Sequence, residues 1–443
     1  MSSSQFPLRQ SGIYHNLPTF DPEVKNLKAI VCGATGISGF HAIRALLDTP
    51  DRWSTIYALS RSPLSNELLS FLNDQQRARI QNLSVDLTAS SEEIAKSLKD
   101  AQVEADYVFY YAYIQPKSEK SAMDPSAADD LIETNIPPLK HFLDSLPQAG
   151  IKPKRILLQT GGKRYGPHIG RVRTPLVESD PQPRHLAPNF YYPQEDLVRK
   201  YCEEHPETGW NIVYPCAIIG AIQHASMNAF LSFGVYAAVQ AFKKEPLAFG
   251  GDFTTWQYEA THSTARMTGY LSEWAVLEDK CKNQAFNAQD GGSLSGNRLF
   301  SELARWYGID EVRGPEPDDK LKTTITFAGG KDSPLGYGPP LPFRQSYTLL
   351  DWAAQPDVKG TWETIMKQSN GQMTKNIFES NLKDIFIGDF TMNPFGTLSM
   401  NKVRLFGFNG FVDTLESIFE MFTEMTKLGI LPPMKVDAAR PLV

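Results

Sequence analysis

The stretch Leu27-Lys28-Ala29-Ile30-Val31-Cys32-Gly33-Ala34-Thr35-Gly36-Ile37-Ser38-Gly39 decides the fold of this chain. Residues 27–32 are an apolar run that ends at a glycine, which is typical of a buried strand. From residue 37 to residue 47 the apolar side chains recur at helical spacing, and Pro50 marks the end of the pattern. A strand, a glycine turn and a helix in this order form a site for a pyrophosphate, because the glycines allow close approach and the free N–H groups of the helix face the anion. We therefore predict a dinucleotide-binding loop that contains Gly33, Thr35, Gly36, Ile37 and Gly39.

The alternation of strands and helices continues through the first half of the chain. Strand patterns lie at 55–59, 80–85, 107–112, 155–159 and 211–214, with helical patterns between several of them at 66–73, 91–98, 127–145 and 193–204. This order predicts an α/β fold with a Rossmann-type, doubly wound parallel sheet and right-handed crossovers.

The predicted domain organisation has three parts. Residues 1–26 are interpreted as an irregular lead-in, residues 27–220 as the nucleotide-binding core, and residues 221–443 as a smaller, mainly helical substrate-binding region that partly returns to the core. Residues 313–344 are rich in proline and glycine, which predicts a long ordered loop or insertion. A lid over the site and a surface elaboration are both compatible with that composition.

Composition excludes several classes of function. Hydrophobic residues make up 41% of the 443 residues and charged residues 21%, which is typical of a globular protein without long disordered regions. The net charge is −6 and no run of like charges occurs, so a nucleic-acid partner is not expected. No window approaches the length of a membrane span, and the four cysteines lack the spacing of a zinc site or a disulfide framework. We expect a cytoplasmic protein without a metal ion, for which a homodimer is one candidate assembly.

Two short segments after later strands bear on the identity of the dinucleotide. Ser60-Arg61-Ser62 follows the second strand, where an NAD-binding fold places an acidic residue on the ribose hydroxyl. An arginine there favours the 2′-phosphate of NADPH, although a solvated cation at a strand end would give the same pattern. Asp86-Leu87 follows the third strand, and Asp86 could either accept a hydrogen bond from the adenine amino group or cap a helix.

The reaction centre of such a fold needs a tyrosine that can hydrogen-bond a carbonyl oxygen and a lysine whose charge steadies the developing oxyanion. Their usual arrangement is YxxxK, with the two residues one helical turn apart. Here Tyr191 is followed four positions later by Glu195, and Tyr192 by Asp196, so no lysine stands in that place.

Two motifs supply an alternative source of the lysine. Residues 159–167, QTGGKRYGP, and residues 189–196, NFYYPQED, together resemble the progesterone 5β-reductase and iridoid synthase (PRISE) family of extended short-chain dehydrogenases. In that family the lysine of the TG-x-K segment replaces the missing one, and the first tyrosine of NFYYxxED is catalytic. The resemblance thus implies that Lys163 and Tyr191 form the working pair. It covers about residues 27–432 without the 313–344 segment, and it adds Tyr110, Gln159, Thr160, Pro215 and Ile218 to the expected cofactor contacts.

The chain departs from the family pattern at three places. Arg61 is followed by a serine where the family shows a second arginine. Residues 214–220, YPCAIIG, stand in place of RPG-N-I-x-G, and Ala112-Tyr113-Ile114 stands where members often carry a threonine and a tryptophan. These substitutions predict a pocket of different shape, with candidate lining residues Tyr113, Met227, Phe230, Trp256 and Phe408. Each of the aromatic candidates could equally be an ordinary core residue.

The leading hypothesis from the sequence is NADPH-dependent reduction of an activated carbon–carbon double bond in an α,β-unsaturated carbonyl compound, in specialised metabolism. The same site could instead reduce a carbonyl group, or cyclise or isomerise a reactive enol-type intermediate. A non-catalytic NADP sensor is a third alternative, against which the retention of both Tyr191 and Lys163 argues. The apolar candidates favour a terpenoid, steroid or polyketide-like substrate.

Overall fold

The computed structural model describes residues 7–116, 125–223, 228–392 and 394–442. The strands in these ranges are β1 (Arg9–Ser11), β2 (Tyr14–Leu17), β3 (Leu27–Cys32), β4 (Trp53–Ser60), β5 (Ile80–Ser84), β6 (Tyr107–Tyr110), β7 (Arg155–Gln159), β8 (Gly209–Pro215), β9 (Ile218–Ile219), β10 (Leu247–Ala248), β11 (Ser263–Thr264), β12 (Gln284–Ala288), β13 (Val312–Arg313), β14 (Lys322–Phe327) and β15 (Leu341–Gln345).

The α-helices connect and cover these strands. They are α1 (Ile37–Leu47), α2 (Asn66–Leu69), α3 (Asp74–Arg77), α4 (Ser91–Asp100), α5 (Ala128–Ala149), α6 (Tyr191–Glu204), α7 (Ala229–Lys243), α8 (Phe253–Gln257), α9 (Ala265–Leu277), α10 (Gly296–Tyr307), α11 (Leu349–Ala353), α12 (Pro356–Gln368), α13 (Leu382–Ile385), α14 (Asn401–Leu405) and α15 (Thr414–Lys427). None of the helices in the described ranges is long and apolar enough to cross a bilayer.

A seven-stranded parallel sheet forms the centre of the molecule, in the order β5-β4-β3-β6-β7-β8-β12. This is the Rossmann order, and it confirms the predicted doubly wound α/β fold. The direction of winding reverses between β3 and β6. A crevice opens at such a point, outside the carboxyl ends of the strands, and this is where ligands of open α/β sheets bind.

Successive side chains of β3 point to opposite faces of the sheet and pack against the helices on each face. Val31 points into a core cluster that α1 and α9 share, while Ile30 and Cys32 point into a second cluster on the other face with α4 and α5. All three side chains are fully buried, which accounts for the continuous apolar run of a strand covered on both faces.

Two predicted elements differ from the structure. The helical pattern at 66–73 contains only α2, which ends at Leu69, and the Asn73 side chain caps a separate short helix, α3, that begins at Asp74. The lead-in is not irregular throughout, since β1 and β2 form an antiparallel hairpin whose Tyr14 and Leu17 are buried in the core.

The proline- and glycine-rich segment is an ordered antiparallel hairpin of β14 and β15. The Phe327, Phe343 and Phe395 rings pack edge to face near the loop end of its strand ladder. Ala328 follows β14 and pairs with Gly170 in a parallel bridge, so the hairpin lies against the loop that continues from the Lys163 segment. The boundary at residue 220 between core and substrate-binding region stays a prediction.

Candidate active site

The glycine loop forms a cradle that excludes side chains. Gly33 has φ +78°, and a Cβ on it would stand 2.8 Å from the backbone N and Cα of Ala112, which follows β6. A Cβ on Gly39 would collide with the carbonyl oxygen of Gly33. Helix α1 begins directly after Gly36, and no side chain caps its first N–H groups. The loop therefore fits the pyrophosphate of a dinucleotide, which the exposed helix N-terminus would bind.

Two further predicted cofactor contacts lie at the carboxyl end of β7. The Gln159 side-chain amide donates a hydrogen bond of 2.7 Å to the Ser38 hydroxyl on α1, which ties this strand to the glycine loop. Within the described part of the chain, Gln159 Oε1 and the buried Thr160 Oγ1 have no hydrogen-bond partner. Buried polar atoms are seldom left unsatisfied, so a polar ligand at this edge would fit the donor and acceptor set.

Arg61 and Asp86 lie at the carboxyl ends of the neighbouring strands β4 and β5. Both side chains are exposed. The Thr88 N–H and hydroxyl hold the pKa of Asp86 below its usual value, with a smaller contribution from Arg61. The Asp86 carboxylate therefore already accepts two hydrogen bonds within its own turn. Arg61 is free of any such bond among the described residues and can reach into solvent beside the cradle.

The remaining predicted cofactor contacts differ in whether their side chains are accessible to a ligand. The Ser60 hydroxyl donates to the Ser62 carbonyl oxygen at 2.5 Å, which closes the turn after β4. The Leu87 and Tyr110 side chains are buried in the core, where the Tyr110 ring packs against Phe142, so they leave only backbone atoms for a ligand. Thr35 and Ile37 are half-buried in the glycine loop, and Pro215 and Ile218 border the turn after β8.

Tyr191 and Lys163 are brought together at the carboxyl ends of β7 and β8. Tyr191 is the first residue of α6, and Lys163 lies on a 3₁₀ turn over Gly162–Tyr165. A Cβ on Gly161 would stand 3.2 Å from the Tyr191 hydroxyl oxygen and 3.1 Å from the Pro215 carbonyl oxygen. The absence of a side chain at residue 161 thus lets the phenol approach the segment that carries Lys163.

Burial shifts the acidities of this pair in ways that suit a proton donor and a cation. Burial lowers the pKa of the Lys163 ammonium to about 8. Burial also raises the pKa of the Tyr191 phenol well above its usual value, and the nearby Cys216 thiol adds to that effect. At neutral pH the site therefore holds a protonated phenol and a largely protonated lysine.

Three residues that the sequence did not single out border the pair. A Cβ on Gly162 would stand 3.2 Å from the Cys216 sulfur, so Cys216 fills space beside Lys163. His168 lies near Lys163, and burial together with that positive charge lowers the pKa of its imidazole to about 3. Asn189 contacts both catalytic candidates through its side-chain amide. The N of the NFYY motif was a visible signal, but nothing in the sequence shows which atoms it bonds.

The candidate pocket residues separate into one at the site and three in the core. The Tyr113 ring packs against Phe190 at 5.9 Å between centroids, and Tyr191 is among the causes that raise the pKa of its phenol. By contrast, Phe230, Trp256 and Phe408 are buried among other aromatic side chains, at 0%, 6% and 1% exposure. Met227 lies outside the described residues.

Comparisons with known proteins show what the whole chain is similar to. The model of the PRISE-like Rossmann-fold domain matches residues 29–326. An uncharacterized protein of Schizosaccharomyces pombe is 27% identical over 91% of this chain and 98% of its own length. An (S)-8-oxocitronellyl enol synthase of Camptotheca acuminata and a 3-oxo-Δ(4,5)-steroid 5β-reductase of Arabidopsis thaliana are each 25% identical, over 91% of this chain and 93% of their own lengths.

Replacement of Gly33 by alanine tests the cradle. Gly33 and Gly12 both have positive φ, so alanine at either position should cost about 1–2 kcal/mol of backbone strain. Only at Gly33 does the added methyl group meet other backbone, whereas Gly12 has open space around it. We expect Gly33→Ala to lose measurable binding of a reduced nicotinamide dinucleotide in a fluorescence titration and Gly12→Ala to retain it. Equal affinities of the two variants would show that the loop does not hold the cofactor.

Proposed function

The chain belongs to the PRISE-like Rossmann-fold family, and on that premise we propose that it is an NADPH-dependent reductase of an activated carbon–carbon double bond in an α,β-unsaturated carbonyl compound. The observation that carries the proposal is the placement of the Tyr191 hydroxyl against Gly161, two residues before Lys163 and at the same sheet edge as the glycine cradle. Two relatives named for an enol synthase and a steroid 5β-reductase support a reductase-type role in specialised metabolism.

The proposed binding of NADPH rests on the shape of the glycine cradle and on the positive charge of Arg61. When bound, NADPH would supply the hydride that adds to the β-carbon of the substrate. The backbone around Gly33 and the N-terminus of α1 would bind the pyrophosphate. Arg61 directly follows β4, the strand after which such folds bind the ribose of the adenosine, and its guanidinium has five donors for a 2′-phosphate. The preference for NADPH over NADH follows from this single arginine.

Tyr191 would act as the hydrogen-bond donor to the substrate carbonyl oxygen. Negative charge gathers on that oxygen as the double bond is reduced, so a donor placed there stabilises the transition state more than the ground state. Its raised pKa keeps the proton on the phenol at neutral pH. Because the phenol stays protonated, its O–H group can donate a hydrogen bond to the substrate oxygen.

Lys163 would supply the positive charge beside the same oxygen. Its burial makes the charge more effective, since the field of a cation is screened less away from water. The same burial makes that charge depend on pH, because its pKa is lowered to about 8. Cys216 and Tyr113 would narrow the space around the reacting atoms from the side of β8 and from the side of β6.

Turnover with a panel of substrates tests the proposal. Native protein should oxidise NADPH faster than NADH in the presence of enones or enals, and the products should lack the alkene. Removal of the phenolic hydroxyl in Tyr191→Phe should lower kcat by about 10²–10³, the usual loss of rate when one donor to an oxyanion is removed. Tyr201→Phe is the matched control, because Tyr201 lies near the other end of α6, where its ring packs against His205.

Three other outcomes of that panel would contradict the proposal. Oxidation of NADPH by simple ketones alone would indicate a carbonyl reductase. Conversion of an enol-type intermediate without net oxidation of cofactor would indicate a cyclase or isomerase. Full retention of function by Tyr191→Phe would indicate a sensor rather than an enzyme.

The charge of Lys163 predicts an unusual pH profile. The ammonium form predominates below pH 8 and is lost as the pH rises through about 8, so kcat should fall over that interval. A lysine in water would titrate near 10.4 and would give no such fall. In Lys163→Arg the guanidinium stays protonated, so we expect a lower rate whose alkaline fall has disappeared. A native profile that is flat between pH 7 and pH 9.5 would contradict the role of Lys163.

A further inference from the structure

Tyr191 and Lys163 lie on different elements of secondary structure, so no single helix sets the distance between them. In a YxxxK pair both residues lie on one helix, where positions four apart are neighbours on the same face. Here Lys163 lies on the turn after β7 and Tyr191 begins α6, with 27 residues of chain between them. Their relative position must therefore be set by tertiary contacts.

One side chain bonds the backbone of both residues. The Asn189 Nδ2 donates a hydrogen bond of 3.0 Å to the Lys163 carbonyl oxygen. Its Oδ1 accepts a hydrogen bond of 3.0 Å from the Tyr191 N–H. Asn189 is 7% exposed, so water competes little for either bond. A carboxamide is the group suited to this bridge, because it offers a donor and an acceptor on the same planar unit.

A second set of contacts holds the turn against α6 at the neighbouring residues. The Arg164 guanidinium lies 3.6 Å from the fully buried Glu195 carboxylate and stacks over the Tyr165 and Tyr214 rings at 5.0 Å. Glu195 occupies the position that a YxxxK motif gives to its lysine. That position thus binds the residue next to Lys163 instead of supplying the lysine itself. These contacts hold the whole turn against α6. Among the described contacts, only the Asn189 side chain bonds the backbone of both Lys163 and Tyr191.

We propose that Asn189 is the positioning residue that sets the distance between the Tyr191 phenol and the Lys163 ammonium, in place of the helical turn that sets it in a YxxxK pair. The inference rests on the proposed function of these two residues as a pair. Loss of the bridge would free the Lys163 backbone to shift relative to Tyr191, while the Arg164 contacts still hold the turn against α6. Water would then reach Lys163, and its titration would move toward that of an ordinary lysine.

The test compares Asn189→Ala with Asn211→Ala. Asn211 is a matched control, since it is also buried and its Nδ2 also donates to backbone, at the Cys281 and Gln284 carbonyl oxygens. It lies near the amino end of β8, whereas the site lies at the carboxyl end. Both variants should unfold at lower temperature than the native protein, and both should bind NADPH with native affinity.

Two readouts should separate the variants. In Asn189→Ala, kcat for an enone should fall by about 100-fold, as expected for misplacement of a reacting group, with little change in the KM for NADPH. The rate at which acetic anhydride acetylates Lys163, followed by mass spectrometry against pH, should shift its midpoint upward from about 8. Asn211→Ala should keep both the native kcat and the native midpoint. A native kcat and a native midpoint in Asn189→Ala would overturn the proposal.

A second variant covers the case in which Asn189→Ala does not fold. Asn189→Asp keeps the size of the side chain and the acceptor for the Tyr191 N–H, and replaces the donor to the Lys163 carbonyl oxygen with a carboxylate oxygen that cannot donate. Its kcat should fall as in Asn189→Ala, and a native kcat would count against the bridge. The acetylation profile does not depend on turnover. Failure of the proposed function therefore shows as native turnover in Tyr191→Phe, and failure of the bridge as an unmoved Lys163 midpoint.

Discussion

The parallel alignment of the seven strands is the constraint on which the rest of the structure depends. Because every strand of the sheet runs in the same direction, the carboxyl ends of β3, β6, β7 and β8 share one edge. The reversal of winding between β3 and β6 opens a crevice there, and the glycine cradle, the Lys163 turn and the start of α6 all begin at that edge. Residues that are far apart in the sequence therefore lie close together at this edge of the sheet.

Exclusion of water at this edge accounts for the chemistry that we assign to it. Removal from water disfavours the charged form of any group, so one cause raises the pKa of a phenol and lowers that of an ammonium. The two shifts move the pKa values of Tyr191 and Lys163 apart, so the phenol keeps its proton over the range in which the lysine titrates. His168 is kept neutral by the same burial and by the lysine charge, so it adds no competing positive charge beside the oxyanion position.

Much of the fold could be predicted because it depends on local pattern. The β3–α1 unit has an apolar run, a glycine turn and a helical period in sequence, and the structure has both elements at the predicted bounds. Lys163 and Tyr191 are proposed as a pair only from the resemblance to a known family, because their separation in sequence carries no such pattern. What could not be predicted depends on packing. Phe408 and Tyr113 are both aromatic residues near motifs, yet only the tertiary structure places one in the core and the other beside Phe190. The hydrogen bonds of Asn189 and the hairpin at 322–345 depend in the same way on segments distant in sequence.

The fate of the transferred hydrogen tests the central claim most directly. Native protein would be incubated with an enone and NADPH that carries deuterium at C4 of the nicotinamide, in the position that is transferred, and the product would be analysed by NMR. The account predicts deuterium on the carbon β to the carbonyl group and an intact carbonyl in the product. Deuterium on the carbonyl carbon, in an allylic alcohol, would contradict it.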